Sequence, residues 1–298
     1  VTASYLDLDR AGWRDLVRMA WGEMRECRLC ARDCGVNRRE GERGFCRTGE
    51  LPEVASYGPH PGEEAPLRGR GGSGTIFFFG CNLRCEYCQN FDISHAMPGR
   101  GTPLSRLGQI MLRLQQLGCP NVNLVSPSHV IPHILGALAY AAERGLQVPL
   151  VYNTGGYDSL PGLQLLDGVV DIYMPDMKYQ DAEVAEDLSG ASDYPEVNQA
   201  AIREMHRQVG DLRLDDRGVA KRGLLVRHLV LPNDLAGTRE GMQFLADLSP
   251  DTFVNIMNQY RPVHRAGRCP GIARPVQRTE YRAAREEAEK AGLCRLYP

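Results

Sequence analysis

From Thr75 onward, short apolar and β-branched runs alternate with helical stretches, and this alternation confines the chain to a parallel sheet built from repeated βα units. Strands are expected at Thr75 to Gly80, Asn121 to Ser126, Gln147 to Asn153, Ile172 to Met177, Leu224 to Leu231 and Phe253 to Gln259. Helices are expected near 104–117, 130–144, 158–167, 195–209, 238–248 and 279–291, the last with Thr279 as N-cap and Gly292 just past its end. Six such units are two short of a closed eightfold barrel, so the expected architecture is an α/β fold with an open, partial six-stranded βα barrel. A chain of 298 residues can bury the core this requires and still carry a small appendage.

The appendage is read upstream. Trp13, Leu16, Val17, Ala20 and Met24 recur at helical spacing and predict an amphipathic helix over 12–25, leading directly into Cys27-x2-Cys30-x3-Cys34-x11-Cys46. Residues 57–74 are rich in Gly and Pro without apolar periodicity. The expected organisation is therefore an N-terminal helix and four-cysteine segment over 1–57, a linker over 58–74, and the partial barrel over 75–298.

Ten cysteines would suit a disulfide scaffold in a short secreted chain, but this chain is long and groups seven of them into two tight clusters. Residues 1–10 show no basic stretch followed by an apolar core, so no secretory signal is expected and a cytoplasmic location follows. No uncharged apolar run is long enough to span a bilayer, and no membrane partner is expected. The clusters point to metal.

The second cluster is Cys81-x3-Cys85-x2-Cys88, immediately after the first expected strand. Three thiolates on one short loop can each take a different iron of a [4Fe-4S] cubane, which leaves the fourth iron open to a small molecule. Gly80 permits close backbone approach, and Tyr87 offers an aromatic face for a base such as adenine. A structural zinc site would need a fourth ligand, and none is evident nearby. The upstream quartet, by contrast, can close a site unaided; zinc and a second iron-sulfur cluster both fit its ligand type. Cys119, Cys269 and Cys294 are isolated, and a lone cysteine ordinarily packs as a small apolar residue. Cys269 and His264 sit in an Arg-rich loop expected over the barrel mouth, where they would meet substrate or serve as plain loop residues.

The C-x3-C-x2-C loop at the end of a first strand, followed by βα units, resembles the radical S-adenosylmethionine (SAM) superfamily, and within it the pyruvate formate-lyase activating enzymes and their relatives with an N-terminal quartet. The resemblance covers about residues 27–295. It implies that Cys81, Cys85 and Cys88 hold a [4Fe-4S] cluster that cleaves SAM reductively to methionine and a 5'-deoxyadenosyl radical. Asn153 and Thr154 then match the motif ending the third strand, and Met174, Asp176 and Lys178 match an Asp-x-Lys motif on the fourth. These positions would line SAM and a monovalent cation, with Lys178 on a carboxylate. Arg227 matches an arginine of the fifth strand, and Met257, Gln259 and Tyr260 fall where the sixth reaches the adenosine. The family's Gly-Gly-Glu is replaced by Ser126-Pro127-Ser128-His129, so Ser126 and Ser128 stand where a carboxylate would meet the SAM amino group. Taken alone, Asp176 and Lys178 would read as a surface pair and Ser128 as a helix cap.

Several partners follow from the same resemblance. Reductant would come from a ferredoxin or flavodoxin, and an exposed cluster with an open iron calls for anaerobic conditions. Hydrogen would be taken from a glycine of a partner glycyl radical enzyme; the alternative is a small molecule or peptide whose carboxylate or phosphate is held by arginines within 261–278. A non-enzymatic, zinc-stabilised binding module is the remaining reading, resting on Arg28, Arg32, Arg38, Arg39 and Arg43. Acidic residues dilute that patch, no aromatic run interleaves it and the net charge is -2, so nucleic acid is not expected as a partner.

Overall fold

The computed structural model describes residues 2–96 and 99–297. Among the described residues nine strands form one sheet: β1 (Val54–His60), β2 (Ser73–Phe78), β3 (Val122–Val125), β4 (Leu150–Thr154), β5 (Ile172–Pro175), β6 (Arg213–Leu214), β7 (Ala220–Leu229), β8 (Phe253–Met257) and β9 (Arg295–Leu296). The spatial order is β1-β2-β3-β4-β5-β7-β8-β9, with β6 hanging from β7. Neighbours from β2 through β9 pair in parallel, whereas β1 lies antiparallel on β2 and β6 antiparallel on β7. The sheet does not close.

All six expected strands are present and parallel. The crossovers are helical: α4 (Leu104–Gln116), α5 (Ile131–Ala142), α6 (Leu160–Gln164), α8 (Tyr194–Val209) and α9 (Thr238–Leu248), with α10 (Arg278–Lys290) after β8. An extra helix, α7 (Ala182–Ser189), precedes α8; its N-cap Asp181 accepts from the backbone N–H groups of Glu183 and Val184. Two single turns, α2 (Ala65–Arg68) and α3 (Phe91–Ser94), flank β2 and the cysteine loop. Among the described residues no helix is long and apolar enough to cross a membrane.

Side chains alternate across the sheet with period two. Leu150, Tyr152, Tyr173, Leu224 and Val226 face the helices in one large core, together with Ile134 and Leu138 of α5. Val151, Ile172, Met174 and Leu225 face the other way and pack on Leu67 of α2. Continuing the alternation by two residues places Asn153, Asp176 and Arg227 on that inner face, at the carboxyl ends of their strands.

Three expectations are corrected. Residues 57–74 are no linker: Tyr57–His60 complete β1, which pairs with β2, and the following segment carries the fully buried Leu67 onto the inner face. Its Gly and Pro hid a strand whose burial is mixed, because it is an edge strand with one partner. The N-terminal helix, α1 (Arg10–Gly22), and the stretch to Leu29 are not a separate unit either, since Trp13, Ala20, Met24 and Leu29 enter the same core as α5. The N-cap of α10 is Gln277, which forms a reciprocal capping box with Glu280, rather than Thr279; Gly292 does follow the helix at φ +91°.

Candidate functional site

The carboxyl ends of β2, β3, β4, β5, β7 and β8 surround a cavity of about 620 Å³, and Cys81, Cys85 and Cys88 line it from the loop after β2. That loop is pinned on both sides. Gly80 has φ +85°, and a Cβ there would stand 2.5 Å from the Cys46 carbonyl oxygen, so only glycine lets this loop approach the N-terminal cysteines. Asn82 donates to the Tyr157 carbonyl at 2.6 Å, the Cys88 N–H donates to the Cys85 carbonyl at 3.1 Å, and Cys88 Sγ meets Ser94 Oγ at 3.2 Å.

Burial pushes the Cys81 thiol up to about 12, with Cys85 and then Cys88 adding to the rise. Burial likewise raises Cys88, followed by Cys85. Such mutual opposition marks sulfurs gathered in one place, and a bound cation is what would reverse it. No set of three or more Cys, His, Asp or Glu side chains among the described residues stands ready in metal-ligating geometry. The donor chemistry of three crowded thiols at the wall of a cavity nevertheless fits an iron-sulfur cluster with one open iron.

Opposite the cysteines stands an ion group rather than a surface pair. Lys178 Nζ lies 2.7 Å from Asp176 Oδ2, Arg227 Nε donates to Asp176 Oδ1 at 3.0 Å, and the same guanidinium donates to Asn153 Oδ1 at 2.7 Å. Burial alone would raise the Asp176 carboxyl, but Arg227 and then Lys178 outweigh it and hold the group below its ordinary value. For Lys178, burial is the largest influence and lowers it, yet Asp176 and Cys85 reverse that and the net shift is upward.

The other sequence-derived candidates divide. Ser126, Asn153, Thr154, Met257, Gln259 and Tyr87 line the cavity. Tyr87 does so from a buried position, its ring packed edge-on against Tyr179 and Tyr260 and its hydroxyl accepting from Tyr179 at 2.7 Å, so it presents no free face. Ser128 turns away: it meets Thr154 Oγ1 at 3.1 Å, and Thr154 donates to buried Asp158 at 2.6 Å. Met174 packs on Leu67 in the inner apolar cluster, and Tyr260 donates to the Ile272 carbonyl at 2.6 Å; neither reaches the cavity. Cys269 and His264 also lie off its wall. The Arg265 N–H bonds the Glu86 carbonyl, and His264 stacks on Phe91 with ring centroids 4.8 Å apart, so their loop packs on the back of the cysteine loop.

Sequence reasoning missed His60, Glu63 and Glu64, which line the cavity from the segment after β1. Treating that segment as a linker removed them from view; the adjacent carboxylates of Glu63-Glu64 were the available signal.

Cys27, Cys30, Cys34 and Cys46 share a second, small cavity with Arg38 and His129. Burial, then Cys46, raises the Cys30 thiol. Arg38 is 1 % exposed, and its hydrogen bonds go to the carbonyls of His129 and Gly49, with Cys27 Sγ at 3.9 Å. A buried guanidinium that bonds only to neutral carbonyls and sulfur calls for a nearby anion. Thiolates bound to a metal would be that anion, so the quartet fits a closed metal site.

No family model matches the chain. It is 33 % identical over 292 residues to an uncharacterized protein of Methanocaldococcus jannaschii, an alignment spanning 94 % of this chain and 79 % of the archaeal protein. The fold and site define an α/β protein with a cysteine-lined cavity at the carboxyl edge of an open, mostly parallel sheet. Within that class, the chain belongs to the family of this archaeal protein.

Proposed function

We propose that the protein is a radical SAM enzyme built on a partial six-stranded βα barrel. One observation carries the reading: the C-x3-C-x2-C cysteines and the Asp176–Lys178–Arg227 group, distant in sequence, line one cavity at the carboxyl ends of parallel strands. A [4Fe-4S] cluster on Cys81, Cys85 and Cys88 would supply an electron and an open iron for SAM, releasing methionine and a 5'-deoxyadenosyl radical that takes hydrogen from a substrate.

The chain's own residues supply binding and orientation. Lys178 and Arg227 bring two cations to the cavity wall, suited to the carboxylate of SAM, and Asp176 fixes both in place without neutralising their combined charge. Asn153 of β4 orients the guanidinium from across β5. Ser126, at φ +55° and with its N–H held by the Asn153 carbonyl, lines the cavity at the end of β3, where the Gly-Gly-Glu of radical SAM enzymes has a carboxylate. The Arg38-backed quartet would hold zinc or a second iron-sulfur cluster beneath the cysteine loop.

The polar chamber favours a small molecule or peptide as substrate over the glycine of a partner enzyme, and the electron donor would be a ferredoxin or flavodoxin. The test is anaerobic reconstitution with iron, sulfide and zinc counted, then electron paramagnetic resonance with and without SAM beside an assay for 5'-deoxyadenosine. The expected result is a [4Fe-4S] signal that SAM alters, and 5'-deoxyadenosine that is absent from Cys85→Ala. Uptake of zinc alone, with no 5'-deoxyadenosine, would favour the zinc-stabilised binding module instead.

A further inference from the structure

Within the cavity the charges are unevenly satisfied. Asp176 engages both Lys178 and Arg227, and Arg227 spends its other strong bond on Asn153. Glu63 faces the adjacent Glu64 carboxyl, whose charge and side-chain hydrogen bond both push it upward, and is otherwise left with Arg227 at 3.9 Å and His60 Nδ1 at 4.0 Å, both beyond a good hydrogen bond. Glu64, only 5 % exposed, accepts from Asn255 through Oε1 at 2.8 Å, while its Oε2 is buried with no partner among the described residues. His60 Nδ1 is likewise buried without a partner.

An unpartnered carboxylate oxygen in a buried position is costly, and two adjacent carboxylates compound the cost. Burial, followed by Glu64 as a neighbour, raises Glu63 to about 7 against the opposing pull of Arg227. A cation with several N–H donors would relieve all three groups together.

We propose that Glu63 and Glu64, with His60, form a subsite for an alkylammonium group inside the cavity. Glu64 Oε2 accepts one N–H, Glu63 a second, and His60 a third at Nδ1. The ammonium belongs either to SAM, whose amino group lacks the Gly-Gly-Glu carboxylate here, or to an amine-bearing substrate. The inference rests on the proposed function only in treating the cavity as the reaction chamber.

The test titrates the reconstituted full-length protein with n-butylammonium, butyrate and tetramethylammonium, by ligand-observed NMR and by thermal unfolding. Butylammonium is expected to bind, butyrate and the donor-free tetramethylammonium not to compete, and Glu64→Gln and Glu63→Gln each to weaken binding at least fivefold. Glu64→Gln should unfold near the parent temperature, because it keeps the Oε1 bond from Asn255 and removes a buried charge that Arg227 offsets only in part. Competition between butylammonium and SAM assigns the ammonium to SAM; simultaneous binding assigns it to a second molecule. Displacement of the amine by butyrate, unchanged affinity in both variants, or no amine binding at all overturns the proposal. So does a destabilised Glu64→Gln that still binds the amine, which would make Glu64 a structural partner of Asn255. Amine binding without 5'-deoxyadenosine formation would remove the radical reading and leave the subsite standing.

Discussion

Arg227 Nε donates to Asp176 Oδ1 at 3.0 Å, and the same two residues meet as an isolated parallel backbone bridge beyond the last regular pair of β5 and β7, Tyr173 with Leu224. The side-chain bond thus continues a seam that the backbone ladder leaves at the cavity rim, and it holds a lysine and an arginine within reach of one carboxylate. Asp176→Asn keeps the shape and removes the charge, leaving Lys178 and Arg227 buried without their common anion. The expected loss is about 3 kcal/mol, read from urea unfolding. A loss below about 0.5 kcal/mol would mean that water already screens the pair.

Gly80 joins the two cysteine loops. Its φ of +85° and the 2.5 Å approach that a Cβ would make to the Cys46 carbonyl both exclude a side chain. Gly80→Ala should cost more than about 1 kcal/mol and lower metal content at both clusters, because one loop must retreat from the other. An alanine variant with full stability and full metal content would show that the loops are not braced here.

Arg38 and the N-terminal quartet should be coupled. Removing the metal with a chelator, or replacing Cys30 by serine, is expected to destabilise the chain by stranding the buried guanidinium. Arg38→Met should soften that loss, with a coupling above about 1 kcal/mol in a double-mutant cycle. Additive losses would make Arg38 a loop clamp that is indifferent to metal.

Glu280 gives an acid-sensitive contact. Its carboxylate accepts from Arg274 at 2.8 Å and from the N–H groups of Gln277 and Asn233, each at 2.8 Å. The Arg274 bond is the largest influence, and the group is lowered to about 2. Because the folded value lies below the unfolded one, the contribution is complete above about pH 4.5 and is lost as pH falls toward 2. Glu280→Gln should flatten the dependence of melting temperature on pH across that window; an unchanged slope would assign the acid loss to other carboxylates.

The strands and helices of the βα units were legible because each carries its own signal. β4 is buried at all five positions and opens on the apolar Leu150-Val151-Tyr152, while α4 buries Leu107, Ile110, Met111 and Leu114 at helical spacing. The three cysteines were legible as a group because their spacing keeps them on one short loop, which lines the cavity. Met174 was misplaced because motif position does not reveal which face a residue takes; two residues on, Asp176 shares that face but lies past the apolar cluster. Ser128 was misplaced because its partner Thr154 arrives from another strand.

Local order in the chain was enough to determine the alternation, its parallel sheet and the grouping of the cysteines, since periodicity and spacing act over a few residues. The tertiary structure alone decided that Tyr57–His60 join the sheet, that Glu63 and Glu64 line the chamber from the segment that follows, and that Asp176, Lys178 and Arg227 share one buried ion group. Those outcomes depend on desolvation and on contacts between segments far apart along the chain, such as the 191 positions separating Glu64 from Asn255, which no local pattern encodes.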